Sequence, residues 1–129
     1  RGLRTLGIRV RRQCETATQL ASWLEGRVAR VWHPSLPSHP GFALAKEQMR
    51  GPGSVLSIEL DSEIRARELP RRLAIFRDAT SLGGVESVLE WRKKWDPHAP
   101  PTLLRISVGL EDARDLITDL ERALEATRA

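Results

Sequence analysis

The 129-residue sequence predicts an α+β domain: a small, largely antiparallel sheet of three to four strands with helices packed on one face. Two observations carry this. Apolar residues recur at helical spacing near both ends of the chain, while Val55 to Leu60 and Leu103 to Val108 alternate with a period of two. The resulting order is helix, strand, helix, strand, helix, strand, strand, helix, with no internal repeat and no low-complexity linker.

Thr5 to Glu25 reads as one long helix, with Leu6, Val10, Ala17, Leu20, Ala21 and Leu24 forming its stripe and Gly26 in place to end it. Val28 to Trp32 is a short strand. Pro34, Pro37 and Pro40 then exclude a helix or a central strand across His33 to Gly41. Phe42 to Met49 forms a short helix, stopped by Gly51-Pro52-Gly53. In the strand Val55 to Leu60, Leu56, Ile58 and Leu60 share one face. A helix from about Ser62 to Phe76 follows, striped by Leu69, Leu73 and Phe76. Pro70 belongs in first turns, which moves the start towards Glu68.

Ala79 to Ser87 reads as extended around Gly83-Gly84, and Trp91 to Pro101 as irregular, with Trp91 and Trp95 on one turn of helix. Leu103 to Val108 is the cleanest strand: Leu104, Ile106 and Val108 face one way, Leu103, Arg105 and Ser107 the other. Gly109 ends it. Asp112 caps a last helix reaching about Arg128, with Leu116, Ile117, Leu120, Ala123 and Leu124 as its apolar stripe. The long first helix needs a partner, either this sheet or a neighbouring domain.

Composition narrows the function classes. The net charge of +4 comes almost wholly from arginine, with lysine only at Lys46, Lys93 and Lys94. Arginines alternate with acids across Asp61 to Glu68, the pattern of a salt-bridged surface. A nucleic-acid binder would concentrate its basic residues and add stacking aromatics, so no nucleic-acid partner is expected. No apolar run approaches membrane-spanning length. Cys14 stands alone and forms no internal disulfide, which fits a reducing, cytoplasmic location. The start at Arg1 reads as a cut or processed end.

Several constellations carry no chemistry. Gly51-Pro52-Gly53 precedes a strand and opens no helix, so it is a turn, not a dinucleotide loop. His33, His39 and His98 match no metal-ligand spacing and read as loop packing or exposed residues. Trp23 and Trp32 read as packing residues. Arg105 is different. It sits mid-strand on the face away from the apolar residues, where its planar fork suits a carboxylate ligand or a structural salt bridge. Ser81-Leu82-Gly83-Gly84 is the other unusual stretch; paired glycines allow close backbone approach or a β-bulge.

Five segments, in order, resemble the Cys/Met-metabolism family of pyridoxal-phosphate (PLP) enzymes, in particular the cystathionine γ-synthases and γ-lyases. Arg1 to Leu6 is similar to the family's R-G-L-K-T-L, and Leu36 to Pro40 to its L-x-S-H-P loop. Ser81 to Ser87 matches S-L-G-G-V-E-S residue for residue. Leu104 to Asp112 is similar to L-R-x-S-V-G-x-E-D, followed by D-L-x-x-D-L at Asp115 to Leu120. The resemblance implies the small C-terminal domain of a fold type I PLP enzyme, spanning 1–129. The first helix would then pack against a PLP-binding domain outside this sequence.

The resemblance also implies roles. Arg105 would bind the α-carboxylate of an amino-acid substrate, Ser81 would help hold it, and Leu82 would line the pocket. The cofactor, pyridoxal 5'-phosphate, would be held by the chain's own N-terminal domain. That domain would carry the Schiff-base lysine in an S-x-T-K context, a motif that does not occur in residues 1–129. This segment would then be inactive alone and would work within a homotetramer. The reaction would be elimination or replacement at the β- or γ-carbon of a sulfur or O-acyl amino acid.

Two departures bear on specificity. Thr80 stands where many members have a glutamate that affects substrate choice. Glu90 to Asp96 and a proline-rich link replace the family's P-A-x-x-T-H-A. A reading of a different class is a free-standing, non-catalytic module that binds amino acids or assists assembly.

Overall fold

Period-two alternation fixes which face of the sheet is buried. In a computed structural model, which describes residues 1–128, the strands are β1 (Arg30–Trp32), β2 (Val55–Glu59), β3 (Val88–Trp91) and β4 (Leu103–Ser107). They form one sheet in the order β1-β2-β4-β3, with every neighbouring pair antiparallel. Register places Val31 beside Ile58, Ile58 beside Leu104, Leu56 beside Ile106, and Ile106 beside Leu89. These residues are buried and form one wall of the core.

The other wall is helical. It comprises α1 (Gly2–Leu24), α3 (Glu63–Arg72) and α4 (Ala113–Ala126); a short α2 (Phe42–Gln48) buries no residue. Ala17, Leu20, Ala21 and Leu24 of α1 meet Leu116, Leu120, Ala123 and Leu124 of α4 in the same core. Only the second half of α1 is used this way: Leu3 and Ile8, near its start, are 82% and 70% exposed. Gly26 follows α1 with φ of +84°, a left-handed value that favours glycine after a helix. Asp112 caps α4 by accepting from the backbone N–H of Arg114 at 2.8 Å. Among the described residues no helix is long and apolar enough to cross a membrane.

The helix expected from Ser62 to Phe76 is shorter. Ser62 caps its start, accepting from Arg65 N at 3.3 Å, but α3 ends at Arg72. Pro70 therefore lies near its end, not in its first turns as expected. The cause is tertiary. The buried Asp119 carboxylate of α4 accepts from the backbone N–H groups of Ala74 (2.9 Å), Ile75 (2.8 Å) and Phe76 (3.4 Å). Those amides are drawn away from helical bonding, and Phe76 reaches the core from a loop.

Burial alone would raise the pKa of Asp119. Hydrogen bonds from Ala74 and Ile75, then from Arg122 and Phe76, outweigh it and hold the carboxyl below its ordinary 3.8. Its folded value is depressed, so its stabilisation is complete above that pH and is lost as the pH falls through 3.8 towards the folded value. Asp119→Ala leaves three amides without their acceptor and is expected to cost about 2–4 kcal/mol. Urea denaturation of parent and variant at neutral pH measures this, and the difference should shrink on acidification.

Two other expectations are corrected. Ala79 to Ser87 forms no strand; the third strand starts at Val88 and runs through Trp91. Trp91 is thus a strand residue, with Nε1 donating to Pro101 O at 2.8 Å. The turn beyond it is a 3-10 turn, Arg92–Lys94, and Trp95 lies exposed after it.

His33 is fully buried, bonded through Nδ1 to Ser35 Oγ (2.7 Å) and through Nε2 to the Gly53 carbonyl (3.0 Å). Burial lowers its pKa below 6.5 and the nearby His39 lowers it further, against the opposing effect of the Gly53 bond. His39 accepts from Gly41 N, and His98 is exposed. Among the described residues no cluster of metal-ligating side chains occurs.

Candidate functional site

The face of the sheet away from the core cluster carries Ser57, Glu59, Glu90, Arg105 and Ser107 together with Val55, Val88 and Leu103. Register sets Ser57 on one side of Arg105 and Glu90 on the other. The Arg105 side chain is 22% exposed. Its Nη2 donates to the Thr80 carbonyl at 2.5 Å and stands 2.8 Å from Glu90 Oε1. Among the described residues, its Nε and Nη1 have no hydrogen-bond partner. Glu90 is 1% exposed. Its Oε1 also accepts from Arg92 Nη1 at 2.7 Å, and its Oε2 is buried without a partner. Arg105 therefore has the structural salt bridge that one reading of the sequence expected, made by Nη2 alone.

The Thr80–Ser87 segment lies against this face as a loop tied at several points. Gln13 of α1 donates to the Gly84 carbonyl at 2.6 Å, and Gly83 N donates to Ser107 Oγ at 3.2 Å. Gly83 has φ of +75° and serves a left-handed turn; neither it nor Gly84 lies in a strand, so the pair forms no β-bulge. Ser87 donates from N and Oγ to Glu111, both at 2.7 Å, and accepts from Gly109 N at 2.8 Å.

Each residue singled out from the sequence now has a position. Thr80 reaches Arg105 through its backbone carbonyl, and its residue is exposed. Ser81 and Leu82 are exposed and line an open cavity of about 340 Å³ with Arg77, Ala79, Gly84 and Val85. Sequence reasoning missed Glu90, Arg92, Gln13 and Glu111. The signal for Glu90 was a single carboxylate inside the otherwise apolar run Val88-Leu89-Glu90-Trp91, which is carried into a buried strand. The others depend on long-range contacts.

A model of the Cys/Met metabolism PLP-dependent enzyme family matches residues 1–125. The chain belongs to this family. It is 43% identical to the cystathionine beta-lyase of Coxiella burnetii, over 96% of this chain and 36% of the relative. It is 42% identical to the cystathionine gamma-synthase of Mycobacterium leprae, over 96% and 35%. The structure of cystathionine gamma synthase from Xanthomonas oryzae pv. oryzae, in complex with aminoacrylate and cysteine, superposes with a TM-score of 0.92 at 38% identity. The match covers 98% of this chain and 36% of that one. The chain thus spans about a third of the length of the relatives it matches.

Family members are PLP-dependent, and this gives a test of the residues present. Those around Arg105 supply a guanidinium, a buried carboxylate and a serine-bearing loop. Of the three lysines, Lys46 lies over Phe42 in α2, Lys94 sits over Trp95, 3.9 Å from Asp78, and Lys93 stands between Arg92 and Lys94 in the 3-10 turn; none lies in the S-x-T-K context of the family's Schiff-base lysine. The indole of Trp91 packs against the core, with its Nε1 committed to Pro101 O. The residues described here do not fit the cofactor's ring and phosphate. The unengaged donors of Arg105 have the chemistry to pair with an anionic oxygen.

Proposed function

We propose that this chain is the C-terminal substrate-pocket domain of a PLP-dependent transsulfuration enzyme, and that Arg105 receives the α-carboxylate of its amino-acid substrate. The observation that carries this is the Arg105 guanidinium: held at Nη2 by Thr80 and Glu90, partly exposed, with Nε and Nη1 unengaged. A fixed guanidinium in a site partly shielded from water binds a carboxylate more strongly than a mobile surface one. Ser81 assists at the carboxylate, Leu82 supplies the apolar wall, and Thr80 influences substrate choice.

The cofactor belongs to the N-terminal part of the full enzyme, and the exposed first half of α1 packs there. Leu3 and Ile8 on that half support this docking. In the same reading the segment is inactive without that domain. The enzyme works in the cytoplasm as a homotetramer; the lone Cys14 agrees with a reducing compartment. The reaction is elimination or replacement at the β- or γ-carbon, as the names of the related lyases and synthases suggest.

The test is to assay the full-length protein carrying this segment with L-cystathionine, and with O-acylhomoserine plus cysteine. Turnover of either, dependent on PLP, is expected. A full-length, PLP-loaded protein that turns over neither substrate overturns the reading.

A further inference from the structure

We infer that Arg92 is a positioning residue for substrate binding: it offsets the charge of Glu90, so that Arg105 keeps a net positive charge for a carboxylate ligand. This rests on the reading of Arg105 given above.

Glu90 is almost completely buried, yet only Oε1 is contacted, and two guanidiniums share that oxygen. Arg92 Nη1 and Arg105 Nη2 therefore cannot be more than about 5.5 Å apart. The two cations and one carboxylate leave a single positive charge in a region poorly screened by water. Without Arg92, Glu90 would neutralise Arg105, and an arriving carboxylate would meet a neutral pair beside a buried, partnerless oxygen. The register makes this unavoidable, because Glu90 and Arg105 are directly opposed on β3 and β4. Arg92 comes from the 3-10 turn immediately after β3, so the turn that closes the strand supplies the second cation.

The experiment is steady-state kinetics of the full-length enzyme with L-cystathionine, comparing Arg92→Gln, Glu90→Gln, the double variant and Arg105→Lys. Arg92→Gln is expected to raise KM roughly tenfold while kcat changes less than about twofold, since the field acts on ground and transition state alike. Adding Glu90→Gln to it restores one net charge and should return most of that loss. A purely structural role predicts the reverse, with the double variant at least as impaired as the single.

An unchanged KM in Arg92→Gln, or no recovery in the double variant, overturns the inference. If Arg92→Gln does not fold, Glu90→Gln alone decides. It leaves both cations and should lower KM, and a raised KM overturns the inference. Arg105→Lys separates the two levels. If it leaves KM unchanged, the carboxylate reading itself fails; if it raises KM while Arg92→Gln does not, only the role of Arg92 fails.

Discussion

Arg105→Lys is expected to raise KM for the amino-acid substrate of the full-length enzyme by about 10- to 100-fold, with a smaller change in kcat. The charge is retained, so the effect tests geometry. The guanidinium presents five donors in a rigid plane. In this fold Nη2 is committed to the Thr80 carbonyl and Glu90, leaving Nε and Nη1 for ligand. A lysine has one nitrogen, and the buried Glu90 carboxylate would draw it back into the sheet.

One lost charge-assisted hydrogen bond is worth about 1.5–3 kcal/mol, which sets the range. The carboxylate does not react, so its binding energy is present before and during the chemistry and appears mainly in KM. Steady-state kinetics of parent and variant measure the split. An unchanged KM would leave Arg105 as a structural partner of Glu90 and nothing more.

Gly109→Ala is expected to destabilise the fold by about 3 kcal/mol or more and to displace the Thr80–Ser87 loop. A Cβ at this position would stand 2.2 Å from Val85 O and 2.6 Å from Glu86 C, both backbone atoms, and 2.6 Å from Glu111 Oε2. No rotamer change relieves a backbone clash, so the loop or β4 has to move. Three ties converge there: Gly109 N to Ser87 Oγ, Ser87 to Glu111, and Leu110 N to Val85 O at 2.8 Å. The variant should show a lower urea midpoint. Where it folds in the full-length enzyme, it should show a raised KM, because the Thr80 carbonyl no longer aims Arg105. A midpoint equal to the parent's would mean that the loop adapts freely.

The contrast between glycines shows where sequence reading stops. Gly83-Gly84 attracts attention as a pair, but a Cβ at Gly83 meets nothing within 4 Å; that residue is needed for its positive φ. The close approach falls on Gly109, which reads along the chain merely as the end of a strand. Likewise, the Leu69, Leu73, Phe76 spacing predicts a helix running to Phe76. Asp119, more than forty residues later, takes the amides that would have continued it.

Local pattern decided much. Alternation in Leu56, Ile58, Leu104 and Ile106 determined which face is core, and hence that Arg105 points the other way, because side chains in a strand must alternate. The α4 stripe, the Asp112 cap and the second half of the α1 stripe follow from spacing and side-chain chemistry within a turn or two. Leu6 and Val10, expected in the α1 stripe, are exposed because none of the described residues covers the first half of that helix. Family membership was legible from five ordered motifs.

What only the tertiary structure decided is which charges meet. Glu90 lies opposite Arg105 because of strand register, and Arg92 joins them because the chain turns directly after β3. Register and turning are set by the packing of the whole sheet against its helices. The electrostatics of the site are therefore a property of the assembled fold, although every residue in it was already present in the sequence.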